Sequence, residues 1–147
     1  MTRVVIDTNV VVSALLQPLG PSAAVFLLAA GGALQMCVSG DVYFEYEEVI
    51  RRPRLALAEE AIAATLQKIR ERGLWVKPTE TIKACSDPDD DIFLECAHAA
   101  RADYLVTGNL KHFPRSSAGT LIVTPRSFLD LLLSEETAPT RREPPAS

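Results

Sequence analysis

The sequence predicts an α/β fold in which a mostly parallel sheet of about five strands is covered by helices on both faces. Short runs of consecutive apolar residues, several of them β-branched, recur along the chain. Runs of this kind are typical of strands that are buried on both sides. Segments with a helical spacing of apolar residues lie between the runs. Strands that alternate with helices favour a parallel sheet.

The first strand is Val4-Val5-Ile6, which ends directly at Asp7, and the third strand is the weakest of the set. The predicted strands cover residues 4–6, 34–38, 74–76, 104–106 and 121–123. Thr8, Ser22 and Asp87 are placed to cap the first, second and fifth helices, and Gly31-Gly32 to end the second. The predicted helices cover residues 9–16, 23–30, 41–51, 58–72, 88–101 and 126–133.

The chain is predicted to form one domain over residues 1–133. A length of 147 residues suits a single domain with its own core, and 48% hydrophobic and 23% charged residues are ordinary for a globular protein. Residues 134–147 combine Pro, Thr, Arg and Glu without an apolar period. We expect this segment to be a disordered tail.

Charge and apolar patterning restrict the class of protein. The net charge of −4 argues against strong nonspecific binding to nucleic acid or anionic lipid, although a metal and a local basic patch could still hold a nucleic-acid substrate. No apolar run approaches the length of a membrane span, and the N-terminus lacks the order of a signal peptide. Cys37, Cys85 and Cys96 have no C-x-x-C spacing and are interpreted as free thiols. We expect a cytoplasmic protein without a membrane partner.

Acidic and amide side chains follow several of the predicted strands. Asp7 follows the first strand, Glu45 lies one turn into the helix after the second, Asp90 lies at the start of the fifth helix, and Asn109 follows the fourth strand. The carboxyl ends of parallel strands share one edge of the sheet, where ligands bind. These side chains could converge there, and oxygen ligands select hard cations such as Mg²⁺ or Mn²⁺.

Each of these residues also has a structural interpretation. Asp7 or Thr8 could simply cap the following helix. Asp90 and its acidic neighbours could stabilise the positive end of a helix dipole. Glu45 lies in a glutamate-rich segment that is typical of a solvated helix face. The spacing therefore leaves a metal site and a set of helix caps both open.

The order of the motifs resembles that of the PIN-domain family, and in particular its VapC-like branch of toxins from toxin–antitoxin pairs. The resemblance extends from Arg3 to about Leu133. The motifs are Val5-Ile6-Asp7-Thr8-Asn9, Ser39 with Glu45, Asp87-Pro88-Asp89-Asp90 and Leu105-Val106-Thr107-Gly108-Asn109. Each motif is weak by itself, whereas their order and spacing together are specific.

The resemblance implies a three-layer α/β/α sandwich and Mg²⁺- or Mn²⁺-dependent cleavage of RNA. Our hypothesis for the reaction is hydrolysis of single-stranded RNA by water, which leaves a 5′ phosphate and a 3′ hydroxyl. Asp7, Glu45 and Asp90 match the family's acidic metal ligands, and Asn109 matches a fourth catalytic position that is often Asp. An amide brings no negative charge, so one-ion and two-ion sites both stay open. Thr8, Asn9 and Thr107 match positions that support the site by hydrogen bonding.

Two basic clusters could contact the RNA backbone. Lys111, His112 and Arg115 lie in the segment after Asn109 and could clamp phosphate groups. Arg51, Arg52 and Arg54 follow the helix that carries Glu45, and compensation of the helix dipole is an equally open interpretation for them. The resemblance also implies a cognate antitoxin that covers the acidic groove, and a homodimer, for which residues 9–30 offer apolar surface.

Three alternatives remain open. The first is a Mg²⁺-dependent phosphatase that is phosphorylated on Asp7, although such enzymes usually need a second acid where this chain has Asn9. The second is a catalytically weakened PIN-like domain that binds RNA or a protein partner, which the amide at Asn109 favours. The third is a scaffold in which the acidic residues serve only as helix caps.

Overall fold

The computed structural model describes residues 1–137 and contains one six-stranded sheet with the order β3-β2-β1-β4-β6-β5. All neighbouring strands are parallel except β5 and β6, which are antiparallel. The mostly parallel α/β/α fold is therefore confirmed. The strands are β1 (Arg3–Ile6), β2 (Gln35–Val38), β3 (Leu74–Trp75), β4 (Tyr104–Val106), β5 (Ser116–Ser117) and β6 (Thr120–Val123).

The expectation of about five strands missed β5. This strand has only two residues, and it forms a hairpin with β6 through Ala118 and Gly119. Both turn residues have a positive φ, 49° at Ala118 and 90° at Gly119, which is the geometry of tight hairpin turns. Two serines followed by an alanine carry no strand signal, so the sequence pattern did not predict this strand.

Six α-helices lie in the described part of the chain: α1 (Thr8–Leu16), α2 (Pro21–Ala30), α3 (Gly40–Ile50), α4 (Glu59–Arg72), α5 (Asp91–Ala100) and α6 (Pro125–Thr137). Ser22 does not cap α2, because the helix begins at Pro21 with Gly20 in the cap position. The predicted helix over residues 88–101 is divided into a 3-10 turn, Pro88–Asp90, and α5. Further 3-10 turns lie at Pro53–Leu55 and Leu110–His112.

The predicted boundary between domain and tail is too early by four residues. Helix α6 continues to Thr137, so residues 134–137 are helical and not part of a disordered tail. Glutamate is a good helix former, and the first proline after α6 is Pro139, so nothing in this segment stops the helix where the apolar pattern ends. The rest of the predicted tail, residues 138–147, lies outside the described residues.

The sheet is covered on both faces. Consecutive strand residues point to opposite faces, yet Val4, Val5 and Ile6 are all fully buried, as are Leu105 and Val106. Helix α5 packs on the central strands β1, β2 and β4, while α2 and α4 pack on β2. These strands form the centre of the core.

The order of the strands reverses at β1. The chain passes from β1 to β2 and β3 on one side and then returns to β4 on the other side of β1. In open α/β sheets, ligands bind at this switch point, beyond the carboxyl ends of the strands. Asp7 and Thr107 directly follow β1 and β4, so both lie at the switch point.

Across residues 1–137, no single helix has the length and apolar composition needed to cross a membrane. The pair α1 and α2 reaches that length only in combination, and its two helices are bent by 105°.

Candidate active site

Asp7 is held at the end of β1 by contacts that leave its carboxylate facing a cleft. Its backbone N–H donates to the Val106 carbonyl at 2.9 Å. Its Oδ2 accepts hydrogen bonds from Thr107 Oγ1 at 2.7 Å and from Asn9 Nδ2 at 3.1 Å. Asp7 occupies the N-cap position of α1, but its side chain makes no capping hydrogen bond. Helix capping therefore does not account for this carboxylate.

Thr107 and Asn9 join the segment after β4 to the start of α1. Thr107 Oγ1, which donates to Asp7, also accepts from the Asn109 N–H at 3.0 Å. Asn9 Oδ1 accepts from the Gly108 N–H at 3.0 Å. Each of these two side chains contacts Asp7 and the segment that carries Asn109, so together they fix the positions of both residues.

Glu45 reaches the same cleft from α3. Ser39 caps this helix by accepting the Val42 N–H at 3.2 Å. The fully buried Tyr46 donates its hydroxyl to the carbonyl of Ile6, the residue before Asp7. Because Tyr46 adjoins Glu45, this hydrogen bond connects the position of Glu45 to the end of β1. Tyr46 was not among the residues predicted from the sequence, although a hydroxyl within the apolar stripe Val42, Tyr46 and Ile50 is a signal for such a bond.

The cleft is open and has a volume of about 460 Å³. Seven of the predicted site residues line it, namely Asp7, Thr8, Asn9, Glu45, Asp90, Asn109 and His112. Thr107 is fully buried behind Asp7, while Lys111 and Arg115 are exposed and do not line the cleft. Arg52 and Arg54, whose role the sequence left open between RNA binding and helix-dipole compensation, also line the cleft.

The aspartates around α5 have different environments. Asp90 Oδ2 lies 3.1 Å from His112 Nδ1 in the cleft. Asp87 also lines the cleft and caps the 3-10 turn by accepting the Asp89 N–H at 3.0 Å. Asp91 instead accepts backbone hydrogen bonds from Ala84 and Cys85. Burial raises the pKa of Asp91, but these hydrogen bonds outweigh it and leave the pKa below its ordinary value.

The negative charges of the cleft carboxylates repel one another, and burial also disfavours the charged forms. Burial raises the pKa of Asp7 to about 6; the Thr107 hydrogen bond opposes this shift, while Asp90 and Glu45 add to it. Burial and the charge of Glu48 raise the pKa of Glu45. Burial and the charge of Asp87 raise the pKa of Asp90, although His112 opposes this shift. A cation in the cleft would relieve this repulsion.

The donor set suits a hydrated hard cation better than a closed cage. Within residues 1–137, no three Asp, Glu, His or Cys side chains are close enough to form a ready ligand set. Mg²⁺ commonly takes only one or two carboxylates directly and keeps several waters. The buried hydroxyl of Thr8 lies within hydrogen-bonding reach of Glu45, which opposes the rise in the pKa of that carboxyl. Together with the carboxylates, this hydroxyl oxygen fits a hydrated ion.

The molecule is thus an α/β protein with an oxygen-rich cleft at the switch point of a parallel sheet. The family model described as the PIN domain matches residues 3–111, and the chain belongs to the PIN-domain family. PIN domains are generally nucleases, which supports a hydrolase at this coarse level for the chain. PIN domains typically use divalent metal ions. A comparison with curated proteins returned no match.

Proposed function

We propose that this chain is a Mg²⁺- or Mn²⁺-dependent endoribonuclease that hydrolyses phosphodiester bonds of single-stranded RNA. The observation that carries the proposal is the buried carboxylate of Asp7, which shares one cleft with Glu45 and Asp90 in a PIN-domain chain. Oxygen-only donors favour these hard cations. An acidic cleft with raised carboxyl pKa values is also a poor site for a polyanion until a cation enters it.

Asp7, Glu45 and Asp90 would hold the cation, which would neutralise charge on the phosphate and lower the pKa of water. Thr107 and Asn9 hold the Asp7 carboxylate in one orientation. Glu45 or Asp90 would accept the proton from the attacking water. Water as the nucleophile leaves a 5′ phosphate and a 3′ hydroxyl.

The proposal includes a role as the toxin of a type II toxin–antitoxin pair in the cytoplasm. A basic side chain of a cognate antitoxin would fit between the cleft carboxylates and block the site. The same proposal includes a homodimer through α1 and α2, where Leu16, Leu19 and Leu27 are 50%, 102% and 66% exposed. Light scattering coupled to size-exclusion chromatography tests the dimer.

The enzymatic proposal is tested with a labelled single-stranded RNA, with and without Mg²⁺ or Mn²⁺. We expect Asp7→Asn to abolish metal-dependent cleavage while circular dichroism stays native, because the amide keeps its hydrogen-bonding oxygen but loses the charge. Asp130→Asn is the matched control, since Asp130 is exposed on α6 and does not line the cleft. Full activity in Asp7→Asn would refute the proposal.

A catalytically weakened domain is the second candidate, and the amide at Asn109 favours it. Titration with Mn²⁺ separates the weakened domain from the active ribonuclease. The active site should bind Mn²⁺ in the unaltered protein and lose this binding in Asp7→Asn, whereas a weakened site should bind no Mn²⁺ in either protein. The phosphatase has less support, since Asn9 replaces the second acid and its amide donates to the Asp7 carboxylate.

A further inference from the structure

The cleft has an acidic end and a basic end. Its walls are α1 and α3, which contact each other. The α1 wall begins beside Asp7 and extends to Leu16, a length of about 12 Å. On the other wall, Glu45, Val49 and Arg52 follow one another at i, i+4 and i+7. Helix α3 ends at Ile50, about 7 Å beyond Glu45 along its axis, and Arg52 lies past that end.

The three arginines after α3 have different environments. Arg51 lies outside the cleft lining and is paired with Glu59 at 2.8 Å. Arg52 lines the cleft and is 3.5 Å from Glu48 in an exposed pair, which holds it only weakly. Arg54 lines the cleft and makes no side-chain hydrogen bond or ion pair to any residue in the range 1–137. Helix-dipole compensation does not explain Arg54, which lies beyond the end of α3.

The backbone presents Arg54 on a short and well-defined turn. Pro53 starts the 3-10 turn, and the N–H groups of Leu55 and Ala56 donate to the carbonyls of Arg52 and Pro53. Ala56 closes the turn in the left-handed region, with a φ of 51°. A non-glycine residue there carries about 1–2 kcal/mol of strain. Strain of this kind persists only where the surroundings fix the backbone, and it is common near functional sites.

The cleft also has apolar lining. Val12, Leu16, Val49 and Leu55 line it, together with the polar Ser13 and Gln17. A sugar and base could lie against these apolar side chains. The cleft thus offers an acidic position, an apolar position and a basic position in one groove.

We propose that Arg54, with Arg52 beside it, binds a phosphate that flanks the phosphodiester bond cleaved at the carboxylates. This rests on the proposed ribonuclease function and specifies its substrate as an oligonucleotide that extends beyond the cleaved bond on the arginine side. The guanidinium can donate two parallel hydrogen bonds to one phosphate, a geometry that the ammonium of lysine cannot reproduce. Arg54 is a substrate-binding residue in this assignment and takes no part in proton transfer.

Binding is tested by fluorescence anisotropy with a short fluorescein-labelled single-stranded RNA and full-length protein, in the Asp7→Asn background so that no cleavage occurs. We expect Arg54→Ala to weaken binding about tenfold. The plot of the logarithm of the association constant against the logarithm of the salt concentration should become less steep by about 0.7, the value for one phosphate contact on a single strand. Arg54→Lys should keep the slope and recover part of the affinity.

The matched control is Arg126→Ala, which removes an equal charge from an exposed arginine on α6 outside the cleft. We expect it to change affinity less than about twofold. Equal effects of Arg54→Ala and Arg126→Ala would overturn the assignment, because they would show only a loss of overall charge.

A second measurement separates this assignment from the ribonuclease proposal. Without the Asp7 change, kcat/KM is compared for RNA and for bis(4-nitrophenyl) phosphate, which has no flanking phosphate. We expect the loss in Arg54→Ala to be about tenfold larger for RNA than for the small ester. Equal losses on both substrates would overturn the assignment. If the unaltered protein cleaves neither substrate, the ribonuclease proposal fails, while the anisotropy comparison still decides the role of Arg54.

Discussion

Asp7 reduces the stability of the metal-free protein at neutral pH. It is only 5% exposed, and its pKa rises from 3.8 to about 6 on folding. The folded state therefore binds the proton more tightly than the unfolded state does. The stabilisation by this proton is fully present below about pH 4 and is lost as the pH rises through about 6. Such a shift corresponds to about 3 kcal/mol in the free energy of unfolding.

This predicts that Asp7→Asn stabilises the metal-free protein at about pH 7 by up to about 3 kcal/mol, and by less at about pH 5. The asparagine side chain keeps an oxygen for Thr107 and Asn9 but is neutral at every pH. Urea unfolding in EDTA at the two pH values measures the difference. A variant whose stabilisation does not depend on pH would show that the Asp7 charge is not responsible.

At the scale of elements, the position of α3 depends on the hydrogen bond from Tyr46 to Ile6. Tyr46→Phe removes the donor and leaves a buried carbonyl without it, which should lower the free energy of unfolding by about 1–3 kcal/mol. RNA cleavage should fall as well, because Glu45 loses its connection to the end of β1. Chemical denaturation and a cleavage assay measure the two effects.

Tyr43→Phe is the control for this substitution. Tyr43 lies on the same helix, but its hydroxyl only accepts a hydrogen bond from Arg70 at an exposed position. We expect little change in stability or cleavage. A loss in Tyr43→Phe as large as that in Tyr46→Phe would mean that any tyrosine hydroxyl on α3 matters equally.

The junction of α4 and β3 requires a glycine. A Cβ at Gly73 would lie 2.7 Å from the Ile69 carbonyl oxygen and 2.9 Å from Val38 Cγ2. Gly73→Ala should therefore destabilise the protein by about 1–3 kcal/mol. At Gly40, the first residue of α3, a Cβ would meet no atom within 4 Å, so Gly40→Ala should be neutral or slightly stabilising. Thermal unfolding measures the stability of both variants. Equal destabilisation of the two would show that the close contacts of a Cβ at Gly73 are not the cause.

At the scale of the whole molecule, the sequence pattern predicted the features that depend on buried strands. Val4, Val5 and Ile6 are fully buried, and a strand buried on both faces leaves a continuous apolar run. Parallel topology predicted that the carboxyl ends of β1 and β4 share one edge of the sheet. The structure makes these strands neighbours, which brings Asp7 close to the segment that carries Asn109. Catalytic roles for these residues stay predictions.

Other features depend on side-chain direction and could not be read from spacing. Arg51, Arg52 and Arg54 are close in sequence, yet one pairs with Glu59 outside the cleft and two line it. The aspartates after Ser86 also point in different directions. Asp90 contacts His112 in the cleft, whereas Asp91 accepts a hydrogen bond from the backbone N–H of Ala84. Strand β5 depends on a turn with positive φ at an alanine, which composition does not reveal.

Both outermost strands of the sheet, β3 and β5, are only two residues long. An unpaired strand edge exposes backbone donors and acceptors that can recruit a strand from another molecule, and very short edges limit this risk. The buried apolar strands β1 and β4 lie inside the sheet, where both of their edges are already paired. The sheet therefore offers other chains little to pair with, so association between copies would have to use helical surfaces. The exposed Leu16 of α1 also lines the cleft, so an interface that covers this residue would reach the rim of the cleft.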